Sequence, residues 1–182
     1  MALIKELVDL REEMARWRHD IHKHPDENMH DLRTSSKVAE LLRSFQFDEV
    51  LEQFAQVGVV GVLRHGEGPS ICLAAGTGGQ AIQELEHGLE YRSIEPMSMH
   101  ALGRDGETAM LLGVAKYLAK TKNFSGTVVC VFCSLEDSGV GPQAMIEAGL
   151  FQQYPVDIIY TLRSLPGLEV GKVALMPGTV MA

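Results

Sequence analysis

The sequence predicts an α/β layered domain with a largely buried sheet. Three observations carry this. Segments of strand character alternate with segments of helical periodicity. The central strand segments are near-continuous apolar runs, as strands covered on both faces are. The 182 residues, 46% of them apolar, suit one domain with a sizeable core.

Residues 3–20 place Leu3, Leu7, Leu10, Met14 and Trp17 at helical spacing, and His24-Pro25 ends that helix, because a residue before proline avoids the helical region. Thr34 or Ser35 is suited to cap a second helix carrying Val38, Ala39, Leu41 and Leu42. Residues 57–63 and 70–75 read as strands, the first punctuated by Gly58 and Gly61 and expected to bulge. Gly76-Thr-Gly-Gly is a turn or loop. Residues 105–121 form a helix with Met110, Leu111, Val114, Ala115 and Leu118 on one face. A strand follows at 126–133, then a short helix at 141–150 closed by Gly149. Strands at 157–162 and 170–176 complete the pattern.

A net charge of −8 with scattered lysines and arginines argues against nucleic acid and anionic membrane surfaces as partners. There is no apolar stretch near 18 residues, and the opening Met1-Ala-Leu-Ile-Lys-Glu mixes charges too early for a secretory signal. Three cysteines without disulfide spacing suit a reducing compartment, so a cytoplasmic location is expected. Cys130 and Cys133 form a C-x-x-C, but inside a strand, where residues three apart point to opposite faces. A redox pair normally opens a helix, so this one reads as structural.

Several segments together resemble the aminoacylase and carboxypeptidase family of dimetal amidohydrolases, in the branch of hippurate hydrolase and indole-acetyl-amino-acid hydrolase. Trp17-Arg-His-Asp-Ile-His-Lys-His-Pro25 is similar to that branch's W-R-x-D-x-H-x-H-P, and Thr34-Ser35 to its T-S pair. Met99-His-Ala-Leu-Gly-Arg-Asp-Gly-Glu-Thr-Ala-Met-Leu111 resembles M-H-A-C-G-H-D-G-H-T-A-M-L. Phe132-Cys-Ser-Leu-Glu-Asp137 takes the place of F-Q-P-A-E-E, Ala144 to Phe151 matches A-M-I-x-x-G-L-F, and Leu162-Arg-Ser-Leu-Pro166 stands for L-H-x-x-P. The resemblance implies a three-layer α/β/α catalytic domain with a mostly parallel mixed sheet. It also implies that residues 1–182 form one truncated domain, ending where the family's lid would begin.

The family chemistry uses two divalent metals that activate a bridging water and polarise an amide carbonyl. Carried over residue by residue, the donors fail. Leu102 stands for the cysteine ligand and has no lone pair to give. Arg104 and Arg163 stand for histidine ligands, and arginine only donates. Asp137 replaces a glutamate ligand and is one methylene shorter. Glu107 replaces the second histidine of the helix-start motif, and Ala74-Ala-Gly-Thr-Gly-Gly-Gln-Ala81 replaces a loop with two aspartates. Glu136 alone keeps its identity, at the position of the general base. One positive charge about 5 Å from a divalent ion repels it by roughly 7 kcal/mol at an effective dielectric of about 20.

The expectation is therefore a catalytically inactive relative, with no metal or other cofactor, acting as a binding or assembly protein. Residual hydrolysis based on Glu136, and a fragment of a longer hydrolase, are the rival readings. His100, Arg104, Glu107, Glu136, Asp137 and Arg163 are expected to line a residual pocket. There, arginine–carboxylate pairs fill the space of the metals, or bind an anion. His22 and His24 read as framework residues, and Gly76-Thr-Gly-Gly-Gln-Ala81 as a degraded loop before a nucleotide site. An uncovered sheet edge is expected to recruit a second copy, as a homodimer, or a partner protein.

Overall fold

The computed structural model describes residues 4–26, 32–56, 58–134 and 138–174. The first helical segment is two helices, α1 (Lys5–Asp9) and α2 (Arg11–Lys23), joined at Leu10. Trp17 and Ile21, one turn apart, are buried, and the chain leaves the helix at His24, ahead of Pro25. Helix α3 (Arg33–Ser44) buries Val38, Ala39 and Leu42. Thr34 and Ser35 are not its cap, because both lie inside it. Asp26 meets the helix end instead, its carboxylate accepting from the Thr34 amide at 3.2 and 3.3 Å.

Strands β1 (Glu49–Phe54) and β2 (Gly58–His65) form an antiparallel hairpin. The expected bulge falls on β1, between Leu51 and Phe54, while β2 pairs without interruption from Gly58 to His65. The next elements are β3 (Ser70–Gly76), α4 (Arg104–Thr121), β4 (Gly126–Cys133), α5 (Val140–Glu147), α6 (Leu150–Gln153) and β5 (Ile158–Thr161). Residues 170–174 form no strand, which corrects that expectation as far as the described residues reach.

The sheet order is β1-β2-β4-β3-β5, and β2 alone runs against the other four strands. Side chains alternate across it, so each face has its own core. One face packs Val59, Leu63, Val128 and Cys130 against Trp17, Val38, Leu42 and Leu112 of α2, α3 and α4. The other packs Val60, Val62, Cys72 and Val129 against Met145, Leu150 and Tyr154 of the α5–α6 region. Helices on both faces make the three layers. Cys130 and Cys133 fall on opposite faces, and all three cysteines are buried and outside any disulfide. Burial pushes the Cys72 thiol up to about 11 and also raises Cys130. No helix among the described residues is long and apolar enough to cross a membrane.

Candidate functional site

Three parallel strands, β4, β3 and β5, end side by side, and α4 begins at that same edge. In open α/β sheets, the crevice outside the carboxyl ends of the strands is where ligands bind. Two hydrogen bonds fix the arrangement. Thr108 Oγ1 donates to the Gly76 carbonyl at 2.6 Å, and the Thr77 amide donates to the Cys133 carbonyl at 3.0 Å. Gly103, in the left-handed conformation, turns the chain into α4.

The first turn of α4 carries Arg104, Asp105 and Glu107, all buried. Arg104 Nη1 donates to Glu107 Oε2 at 2.9 Å. Arg163, just beyond β5, donates from Nη1 to that same oxygen at 3.1 Å. One carboxylate thus receives two guanidinium groups, which is how buried arginine is made tolerable. Burial raises the Glu107 carboxyl above its ordinary range, against the opposing charge of Arg104.

A second cluster lies on the other side of the α4 terminus. His22 Nδ1 lies 2.9 Å from Asp105 Oδ2 and His22 Nε2 3.2 Å from Glu84 Oε1, with all three residues buried. Arg18 Nε donates to Asp105 Oδ2 at 2.9 Å. The hydrogen bond to Asp105 raises the His22 imidazole above its ordinary value, with burial opposing. Burial would raise Asp105, but hydrogen bonds from His22 and Arg18 hold it below the usual carboxylate value. Glu84 also accepts from the Ser93 amide at 2.7 Å, so His22 helps pin the irregular stretch between β3 and α4 to α2, together with the Ile94 amide donating to the Lys23 carbonyl at 3.0 Å.

His100 adjoins this second cluster. Its ring centre is 6.1 Å from that of His22, and burial pushes its imidazole down to about 4. The carbonyls of Ile21 and Gly78 lie near the ring, but no hydrogen bond of ordinary geometry forms. The structure therefore brings together Arg104, Glu107 and Arg163, and sets His100 beside His22. Leu102 is half exposed. Glu136 and Asp137 lie outside the described residues. The roles of Arg18, Asp105 and Glu84 were not visible in the sequence. Asp105 had only its first-turn position to suggest one, and Glu84 had no signal at all.

The described residues do not fit a dimetal centre. Two of the expected ligand positions present guanidinium groups committed to a carboxylate, and a third presents an aliphatic side chain. Among the described residues, no group of three or more His, Cys, Asp or Glu side chains is placed to hold a metal ion.

Comparison with known proteins agrees with the fold and the motifs. The chain is 38% identical over its whole length to 47% of hippurate hydrolase from Campylobacter jejuni. It is 31% identical over 98% of its length to 48% of N-acyl-L-amino acid amidohydrolase from Geobacillus stearothermophilus. Among solved structures, a dinuclear metal-binding peptidase of the M20 family from Bacillus subtilis superposes with a TM-score of 0.82. It shares 28% identity, over 90% of this chain and 46% of that one. The chain thus spans about half the length of the curated relatives it matches. Residues 79–180, more than half of the chain, match peptidase family M20/M25/M40, and the chain belongs to that family.

Proposed function

We propose that this chain is a catalytically inactive relative of the metal-dependent N-acyl-amino-acid amidohydrolases, acting in binding or assembly. The observation that carries this reading is the convergence of Arg104 and Arg163 on Glu107 Oε2 at the carboxyl ends of the parallel strands. A hydrolytic metal site needs lone pairs there, and the side chains offer N–H groups and positive charge. Without a metal to lower the pKa of a water, Glu136 is a base with nothing to deprotonate.

The similarity to hippurate hydrolase favours a second reading, residual hydrolysis through Glu136. One experiment separates the two. The purified chain is dialysed against a weak chelator, analysed for zinc, manganese and cobalt, and assayed with hippurate. The inactive reading expects no stoichiometric metal and no turnover. Two retained equivalents, or hippurate cleavage lost in Glu136→Gln, would establish the second reading instead.

A further inference from the structure

A long connection, residues 77–103, joins β3 to α4. Gln80 and Met99 close its base, exchanging backbone hydrogen bonds of 2.8 and 3.1 Å. Residues 81–98 thus project as a lobe whose two ends are adjacent, in the manner of an Ω-loop. Within the lobe the Ser93 amide donates to Glu84 Oε2 at 2.7 Å and the Met97 amide to Gln83 Oε1 at 3.1 Å. The lobe is joined to α2 by the Ile94 amide, which donates to the Lys23 carbonyl at 3.0 Å, and by Tyr91, whose ring stacks on His19 at 3.8 Å. The third joint is Glu84 against His22.

That joint depends on a proton. His22 lies between two carboxylates, with Asp105 Oδ2 at Nδ1 and Glu84 Oε1 at Nε2. A carboxylate only accepts, so both ring nitrogens can donate only when the ring is an imidazolium. The neutral ring has one proton to give. It keeps that proton on Nδ1, where the contact is shorter, 2.9 Å against 3.2 Å. The Nε2 lone pair then faces Glu84 Oε1, acceptor against acceptor, and both residues are buried. The other ionisable groups around His22 do not relieve this. Arg18 donates to Asp105, Tyr91 meets the His22 ring edge-on at 5.5 Å, and His19 is stacked on Tyr91. His100, pushed down to about 4 by burial, carries no charge near neutral pH.

We infer that His22 is a proton-operated latch: as an imidazolium it holds the 81–98 lobe on α2 through Glu84, and loss of its Nε2 proton to solvent frees the lobe. Asp105 stays bonded to Nδ1 and to Arg18, so the movement is local to the lobe. The hydrogen bond to Asp105 raises the His22 imidazole above 6.5, burial opposes it, and Glu84 adds to the rise. The latch is therefore complete below 6.5 and is lost as pH rises through the raised value. Neither His22 nor Glu84 stands at a former metal-ligand position, so the latch is independent of whether the chain hydrolyses anything.

Hydrogen exchange at the Ile94 amide, corrected for the intrinsic effect of pH, tests the inference. Opening at Ile94 is expected to rise about tenfold between about pH 6 and about pH 9, the effect of one hydrogen bond to a charged group. His22→Gln should open the lobe at both pH values and abolish the rise, because its one amide nitrogen serves Asp105 and its oxygen faces Glu84. Glu84→Gln should also abolish the rise but leave the lobe closed, because its amide nitrogen donates to the neutral Nε2 while its oxygen keeps the Ser93 amide. If His22→Gln does not fold, Glu84→Gln decides alone. Opening that is unchanged by pH in the native chain overturns the latch, since Glu84 would then have taken the proton. A rise that persists in Glu84→Gln overturns it as well. So does exchange at Ile94 no faster than in the amides of β4, which would mean that only global unfolding frees the lobe.

Discussion

Arg163 and Glu107 meet at 3.1 Å across 56 residues of chain, tying the segment after β5 to the first turn of α4. The two partners are unequal. The Glu107 side chain is 2% exposed and that of Arg163 46%. Replacing Glu107 by Gln strands the buried Arg104 guanidinium and should cost about 3 kcal/mol in urea unfolding, in the range for breaking a buried pair. Arg163→Leu should cost no more than about 1 kcal/mol, because its solvated head contributes little and Arg104 still satisfies Glu107. Equal losses in the two variants would contradict this ranking.

The pH dependence of stability follows from His22 and Asp105. The His22 pKa is raised above 6.5 in the fold, so its contribution is fully present below 6.5 and is lost as pH rises through the raised value. Asp105 is held below 3.8, so its contribution is present above 3.8 and is lost as pH falls through the depressed value. Glu107, raised by burial, makes the fold less stable as pH climbs from 4.5 through its folded pKa. All three place the stability maximum in mildly acidic solution. The melting temperature should fall between about pH 6 and pH 8.5, and His22→Gln should flatten that fall.

Gly141 and Gly139 should respond differently to alanine. A Cβ at Gly141 would lie 1.9 Å from the Ser134 carbonyl oxygen and 2.9 Å from Cys133 Sγ, so the backbone itself must move. Gly139 has open space but a φ of +74°. Gly141→Ala should lose about 3 kcal/mol or more, and Gly139→Ala about 1 kcal/mol, the usual penalty of the left-handed region. Thermal melts of the two variants make the comparison.

The thiols should be silent. Cys72, Cys130 and Cys133 are 1%, 0% and 6% exposed, and only a thiolate attacks a disulfide reagent. Ellman's reagent should titrate none of them in the native chain and all three in guanidinium. Rapid reaction of one native thiol would place Cys133 nearer to solvent than the structure has it.

Much of this was legible in the sequence, and the exceptions have physical reasons. The residues of β4 read correctly because a buried strand is an apolar run, 126–133. Strand β1 was invisible. Its Glu49-Val-Leu-Glu-Gln-Phe54 is half buried and charged, and its bulge uses Gln53 and its turn Ala55 and Gln56 at positive φ, where a sequence reader looks for glycine or asparagine. At the site, the losses at Leu102, Arg104 and Arg163 were plain from the family motif, because they are substitutions of donors. That Glu107 serves both arginines was open among three carboxylates. The His22–Asp105–Glu84 chain could not be foreseen, since its members lie 62 and 83 residues from His22 and the pairing exists only once α2, α4 and the long loop are packed.

The position of β3 within the sheet governs the order of assembly. During synthesis β1 and β2 can close their hairpin at once, for they are adjacent in sequence. Strand β3 cannot follow, because both its neighbours, β4 and β5, are made later. It ends at Gly76, and β4 begins at Gly126, so at ribosomal speeds it waits on the order of several seconds for its first partner. Through that interval Ile71, Cys72, Leu73 and Ala74 are apolar backbone without a ladder. The nascent chain is thus most vulnerable between the synthesis of β3 and that of β4, and among the described strands β5 seats on β3 last.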